Sequence, residues 1–206
     1  MKLLVENLGL ERGARAVISG LSFAVQAGEA LVLTGANGAG KTTLLRALAG
    51  LIRPAAGSLR LEGADGEKTV AEQAHFIGHQ NAVKSSLTAG ENLSFWANYL
   101  GEAGSDRIGQ ALSRFNLTPL EAIPAGYLSA GQKRRLGLAR LLVAERPVWL
   151  LDEPTVSLDA ASTAILGEVV NAHVSAGGIA IAATHLPLGL TAARELALTR
   201  VMGSQT

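Results

Sequence analysis

The chain has 206 residues, a formal net charge of +1, 48% hydrophobic and 17% charged residues. That length suits one good-sized core, or one core with a small appended lobe, and the near-neutral balance argues against a nucleic-acid partner. Without cysteine there is no disulfide, thiolate zinc site or iron–sulfur cluster. No apolar run is long enough to span a bilayer, and the opening Met1 to Val5 is stopped by Glu6, too short for a signal-peptide core. The composition reads as a soluble, cytoplasmic chain. Its mean hydropathy of +0.27 hints at an apolar contact surface.

Lys2 to Leu10 and Ala16 to Val25 alternate apolar and polar residues, the pattern of strands in an antiparallel β subdomain, which Ser58 to Glu62 continues. Ala30 to Thr34 is a short apolar run, read as a buried parallel strand. Leu44 to Leu51 has helical spacing with Gly50 as a C-terminal cap. Ala64 to Glu72 is polar and reads as loop. His75 to Gln80 reads as a strand ending in polar groups at its C-terminal edge, where α/β sheets place ligand contacts.

From Thr88 the period turns helical. Thr88 and Glu91 form a capping-box pattern, and Leu93, Trp96, Ala97 and Leu100 share a face. A second helix spans about Asp106 to Asn116, and Leu117 to Tyr127 is loop-like. Residues 88–124 therefore read as a helical subdomain inserted into an α/β core of 1–87 and 125–206. Leu128-Ser129-Ala130-Gly131-Gln132 opens a further helix that ends before Pro147. Val148 to Glu153 is an apolar strand ending in two acids. Asp159 is the expected N-cap of a helix closed by Gly177-Gly178. Gly178 to Thr184 is a buried strand with His185 at its tip, and Glu195 to Met202 is the expected last strand.

The chemistry concentrates in Gly35-Ala36-Asn37-Gly38-Ala39-Gly40-Lys41-Thr42-Thr43, which fits the phosphate-binding pattern G-x-x-x-x-G-K-[ST] between a strand and a helix. Glycines let backbone N–H groups converge on an anion, and the helix N-terminus adds positive dipole. Lys41 can reach the β- and γ-phosphates, and the Thr42 hydroxyl can ligate Mg²⁺. Asp152 and Glu153 end the apolar strand; as neighbours on a strand they face opposite ways. That suits Asp152 for the metal shell and Glu153 as general base or water-positioner in hydrolysis. Lys133, Arg134, Arg135 and Arg140 read as a solvated basic face of the helix opened by Ser129. His75, His79, His173 and His185 are scattered, as polar trim is, and offer no haem site.

The set Gly35–Thr43, Leu128–Gln132, Leu150-Leu151-Asp152-Glu153-Pro154, Ser157-Leu158-Asp159 and Thr184-His185, in that order, resembles the nucleotide-binding subunit of an ATP-binding-cassette (ABC) transporter. The resemblance covers nearly the whole chain. It implies an α/β, P-loop NTPase fold of ABC type with ATP and Mg²⁺ as cofactors. It makes Gln80 the sensor of magnesium and attacking water, with Thr42, Gln80 and Asp152 at the metal. It makes His185 a switch residue on the γ-phosphate and Glu153. Ser129, Gly131 and Gln132 would belong to a site completed in trans, so that a head-to-tail homodimer holds two ATP, with Asp159 at its interface. Ala130 stands where the commonest family form has glycine. The family's adenine-stacking aromatic is missing between Leu8 and Ile18; Arg12 or Arg15 could stack instead, or both are solvated.

The stretch from Ile77 to Leu93, with Glu11-Arg12-Gly13-Ala14-Arg15, is similar to the haem-exporter branch of bacterial cytochrome c maturation. That resemblance implies the membrane partners CcmB, CcmC and CcmD, a peripheral place on the cytoplasmic face of the inner membrane, and hydrolysis that drives haem export or release of a haem-loaded chaperone. The membrane partner would dock near Val83 to Trp96, where Phe95, Trp96 and Tyr99 concentrate aromatics, although helical core accounts for Trp96 equally well. Two alternatives remain at this stage: a cassette serving a lipid, drug or ion transporter, and a soluble cassette ATPase without a transport role.

Overall fold

The computed structural model describes residues 1–13, 15–101, 105–191 and 193–199. Along the chain run β1 (Lys2–Arg12), β2 (Arg15–Gln26), β3 (Ala30–Thr34), α1 (Lys41–Leu48), β4 (Ala56–Glu62), β5 (Ala74–Ile77), α2 (Ala89–Tyr99), α3 (Ser105–Arg114), α4 (Ala130–Ala139), β6 (Val148–Asp152), α5 (Ala160–Ser175), β7 (Ile179–Ala183) and β8 (Ala193–Ala197). The long alternating strands pair antiparallel in the order β2-β1-β4. The five short strands pair parallel in the order β5-β6-β7-β3-β8, with the polar, exposed β8 at one edge. Every residue of β6 and β7 is buried, as a strand covered on both faces requires.

Strand alternation divides the core in two. Val148, Leu150, Ile179, Ile181, Leu31 and Leu33 face one cluster, completed by leucines of α1 and of β1. Trp149, Leu151, Ala180 and Ala182 face the other, with α2, α3, α4 and α5. The parallel sheet is thus the middle layer. Phe115, fully buried after α3, anchors the helical side; truncating such a side chain to alanine costs about 3–5 kcal/mol.

Element ends follow from capping and pairing. Gly50 is left-handed at φ +71°, and the bonds Leu51 N to Arg46 O (2.8 Å) and Gly50 N to Ala47 O (3.0 Å) close α1 two residues after Leu48. The helix is therefore shorter than a spacing through Leu51 suggests. Both capping boxes form, Thr88 with Glu91 and Ser129 with Gln132. The helix opened by Ser129 turns 3₁₀ over Arg140–Leu142, and 117–127 holds two short 3₁₀ turns. β5 stops at Ile77, opposite Leu151, so Gly78 to Gln80 leave the sheet instead of extending the strand. The last strand begins at Ala193, earlier than Glu195, and stops at Ala197 because its partner β3 ends at Thr34. Met202, placed in that strand on sequence grounds, lies outside the described residues.

Candidate active site

The C-terminal ends of β3, β6 and β7 converge on one cleft of about 700 Å³. The loop after β3 forms its floor. Gly35 sits at φ +129°, and a Cβ there would overlap the Leu198 carbonyl. Gly40 sits at φ +104° with Val17 and Ile18 of β2 packed where a Cβ would stand, at 3.1 Å. Both positions thus demand glycine for conformation and for close approach. Gly40 is also the N-cap of α1 and contributes no side-chain cap, leaving the first-turn amides turned toward the cleft. Lys41 is 8% exposed and its Nζ donates to the carbonyls of Gly35 (2.6 Å) and Ala36 (3.4 Å), so the loop curls around the ammonium. Gly35 to Thr43 and the cleft therefore form one unit, with Ala36 to Thr43 on its lining.

Across from the loop, the Thr42 hydroxyl donates to Asp152 Oδ1 at 3.0 Å, joining α1 to the end of β6. Asp152 is buried. Glu153 does not follow the strand alternation expected of it. It lies one residue beyond β6 at φ +46°, a left-handed conformation costing about 1–2 kcal/mol. Its N–H bonds Ala183 O at 2.8 Å. This turn, and not an opposite strand face, brings its carboxylate into the same cleft as Asp152. His185 Nε2 lies 3.4 Å from Glu153 Oε1. The segment carrying His185 rests on α5: a Cβ at Gly167 would overlap Leu188 O, and Asn171 binds Gly189 O (2.9 Å) and the Thr191 N–H (3.0 Å). Arg12, Arg15 and Val17 of the β1–β2 hairpin line the remaining side.

Other expected site residues lie outside this cleft. Gln80 is exposed and lines the adjoining groove with His79, Ala82, Trp96 and Tyr99; Arg46 and Ile52 border both spaces. Ser129, Gly131 and Gln132 begin α4 away from the cleft lining. Ser129 is exposed; its hydroxyl accepts from the Gln132 N–H at 3.2 Å while Gln132 Oε1 accepts from the Ser129 N–H at 2.8 Å. A Cβ at Gly131 would stand 3.1 Å from Ser157 O. Asp159 caps α5 through the Ser162 N–H at 2.7 Å, and bonding with Ser162 holds its carboxyl below the usual range.

The basic residues of α4 and of the turn after it do not form the solvated face expected of them. Arg134 is 2% and Arg140 7% exposed. Arg134 donates to backbone carbonyls of the segments around Gln80 and Glu153. Arg140 donates to Phe76 O at 2.9 Å and lies 4.1 Å over the Trp96 ring, and burial pushes it down to about 10. Lys133 and Arg135 also bind backbone carbonyls. Burying a cation is costly unless it finds acceptors; backbone carbonyls supply them for Arg134, whereas Arg140 has Phe76 O and the Trp96 ring while its Nη1 is buried without a hydrogen-bond partner. The overlooked signal is spacing, since Arg134, Leu138 and Leu141 fall on one buried stripe. His75 and His173 are also structural: His75 Nε2 bonds Ala144 O at 2.8 Å, and His173 stacks on Trp149 at 3.9 Å. Trp96 is half-buried with its Nε1 donating to Ala82 O (3.2 Å), whereas Phe95 and Tyr99 are exposed and stacked.

A phosphate loop after β3 with an acid pair at the end of β6, two strands away in the same parallel sheet, defines a P-loop NTPase, and this chain belongs to the ABC transporter family, whose pattern matches residues 18–156. As an ATP-binding subunit of such a transporter it is an ATPase that works with membrane partners. Within the family it is 49% identical to the cytochrome c biogenesis ATP-binding export protein CcmA of Agrobacterium fabrum, over the whole of this chain and 99% of the relative. It is 53% identical to CcmA of Nitrobacter winogradskyi over 95% of this chain and 97% of the relative. A solved ATP-binding subunit of an ABC transporter superposes with a TM-score of 0.80 at 28% identity, covering 90% of this chain and 80% of that one. A putative ABC transporter ATP-binding protein from Pyrococcus furiosus, 22% identical, shares the fold with a TM-score of 0.81 over 95% and 98%.

Proposed function

We propose that the chain is the ATPase subunit of a cytochrome c biogenesis exporter, as its relatives are named, and that two copies hydrolyse ATP between them to drive haem export or release of a haem-loaded chaperone. The observation carrying the catalytic part is the meeting of the Lys41 loop, the Thr42–Asp152 pair and the Glu153–His185 pair in one cleft. The loop amides and Lys41 bind the phosphates, with Lys41 moving its donors from its own carbonyls to the β- and γ-phosphates. Arg12 or Arg15 covers the base. Thr42 Oγ1 and Asp152 Oδ1, hard oxygen donors already adjacent, suit Mg²⁺, and Gln80 joins them from the neighbouring groove. An ion held by these residues would supply positive charge against the charge that develops on the phosphates. Glu153 accepts a proton from the attacking water, and His185 orients that carboxylate and senses the γ-phosphate.

Ser129, Gly131 and Gln132 lie outside their own cleft, which supports completion of each site by a second copy. The Ser129 hydroxyl uses a lone pair for its cap and keeps its proton to give to the γ-phosphate of the other chain. Among the described residues no helix is long and apolar enough to cross a membrane. In this proposal the subunit sits peripherally on the cytoplasmic face of the inner membrane, held by CcmB, CcmC and CcmD. The exposed Phe95, Tyr99 and Leu51 beside the Gln80 groove supply the apolar contact. Residues 88–124 act as the helical subdomain that carries this surface. Affinity purification of the tagged chain from membranes tests the proposal. Recovery of integral subunits with haem-handling chains supports it; recovery of a lipid or drug permease, or of no membrane protein, overturns it.

A further inference from the structure

Arg134 binds more of the catalytic surroundings than any group the sequence points to. Its Nε donates to Pro154 O (3.0 Å), Nη1 to Gly78 O (2.9 Å) and Asn81 Oδ1 (3.1 Å), and Nη2 to Glu153 O (2.7 Å) and, at the long limit, Asp152 O (3.5 Å). A guanidinium has five N–H donors in a planar fork, and each has an acceptor here. The acceptors come in two groups. Gly78 and Asn81 bracket Gln80; the carbonyls of 152–154 bracket Glu153 and grip the peptide units around its left-handed turn. The fork itself rides on α4, the helix that Ser129 opens. A second contact makes the joint stiff: at Gly137, three residues on, a Cβ would lie 3.0 Å from Asn81 O, so α4 packs directly on the Gln80 segment. Burial pushes the guanidinium pKa down and the Asp152 charge works against that shift.

We propose that Arg134 is a positioning residue that fastens the Gln80 segment, the Glu153 turn and α4 into one unit, so that the two reacting side chains reach the nucleotide together. The inference rests on the roles proposed above for Gln80 and Glu153. It goes further in naming the group that makes them interdependent. A scaffold role alone predicts lost stability. A positioning role predicts lost turnover at unchanged ATP affinity, because Arg134 is absent from the lining of the phosphate cleft.

The test uses the full chain, purified with the membrane subunits it carries, and follows kcat, KM and titration with a fluorescent ATP analogue. Arg134→Lys keeps the charge but concentrates the donors at one nitrogen, which cannot span both acceptor groups. The expected result is a kcat lower by roughly 10–100-fold, with analogue affinity within about twofold of wild type. Gln80→Ala then costs far less in the Arg134→Lys background than alone, since residues acting as a unit are not additive. Wild-type kcat, a parallel loss of affinity, or losses that multiply overturn the proposal. Should Arg134→Lys not fold, Asn81→Ala decides: it removes one acceptor, and kcat must fall without multiplying the Gln80→Ala loss. Glu153→Gln in the same assay separates the two ideas. If it turns over normally, the site reading fails; if it is dead while Arg134→Lys is normal, only the fastening fails.

Discussion

Substituting Ser129 separates stability from function, because its hydroxyl has one task within its own helix and, in the proposed dimer, another toward a second chain. Within the chain it is the N-cap of α4, accepting from the Gln132 N–H. Ser129→Ala removes that acceptor and costs about 1 kcal/mol, a fall of roughly 2–4 °C in melting temperature for a chain of this length. Ser129→Asp keeps an acceptor at the same place and adds about 0.3–1 kcal/mol from the helix dipole, so its melting temperature equals or slightly exceeds wild type. Toward ATP the order reverses. Alanine loses one donated hydrogen bond, whereas a carboxylate about 4 Å from the γ-phosphate is repelled by about 4 kcal/mol per unit charge at an effective dielectric of about 20. That corresponds to roughly a thousandfold. Melting of the nucleotide-free chain, ATP turnover, and ATP-dependent pairing by sedimentation in a Glu153→Gln background together read out both tasks. The more stable variant must be the less active one. Wild-type turnover by Ser129→Asp, or wild-type melting of Ser129→Ala, refutes the reasoning.

Glu153→Gln keeps ATP bound and lowers turnover by about 10²–10⁴-fold; hydrolysis at the normal rate removes Glu153 from the chemistry. Lys41→Ala lowers ATP affinity at least about tenfold, since the charge reaching the phosphates is gone and the Gly35 and Ala36 carbonyls lose their donor; an unchanged ATP titration refutes its role. His75 is lowered to about 4 by burial, against 6.5 ordinarily. The unfolded chain therefore binds the extra proton first, and stability is lost as pH falls from about 6.5 to 4, by up to about 3 kcal/mol. Urea midpoints at pH 7 and pH 4.5 must lie closer together in His75→Gln, which retains an N–H donor for Ala144 O but does not titrate; an equal gap in both proteins contradicts the assignment.

Much of this molecule is legible because its signals are local. Gly35, Gly40 and Lys41 announce the loop by type and spacing, and Thr88–Glu91 and Ser129–Gln132 announce helix starts through side chains that reach three residues. Asp152 is recognisable at the end of a run too apolar to be anything but a covered strand. What escapes is what depends on distant partners. Nothing near Glu153 in sequence says that its backbone turns left-handed, because the carbonyls that hold it are gripped from α4. Gln80 reads as a strand end, yet β5 stops at Ile77, opposite Leu151, one residue before β6 itself ends. Arg134 and Arg140 read as solvent-facing since cations usually are; their burial depends on carbonyls contributed by segments more than a dozen residues away. Among the described residues no phenylalanine, tyrosine or tryptophan lines the cleft, and only the fold shows that Arg12 and Arg15 of the hairpin border it.

The missing side chain at Gly167 has a reach beyond its own helix. A glycine mid-helix forgoes about 1 kcal/mol against alanine, and what it admits is the Leu188 carbonyl, three residues past the histidine at the tip of β7. Position 167 is therefore a shim seat. Each carbon added there would lift the strap bearing His185 by a small step while every atom that meets the triphosphate stays chemically the same, giving a mechanical dial for this ATPase set from the far side of the sheet.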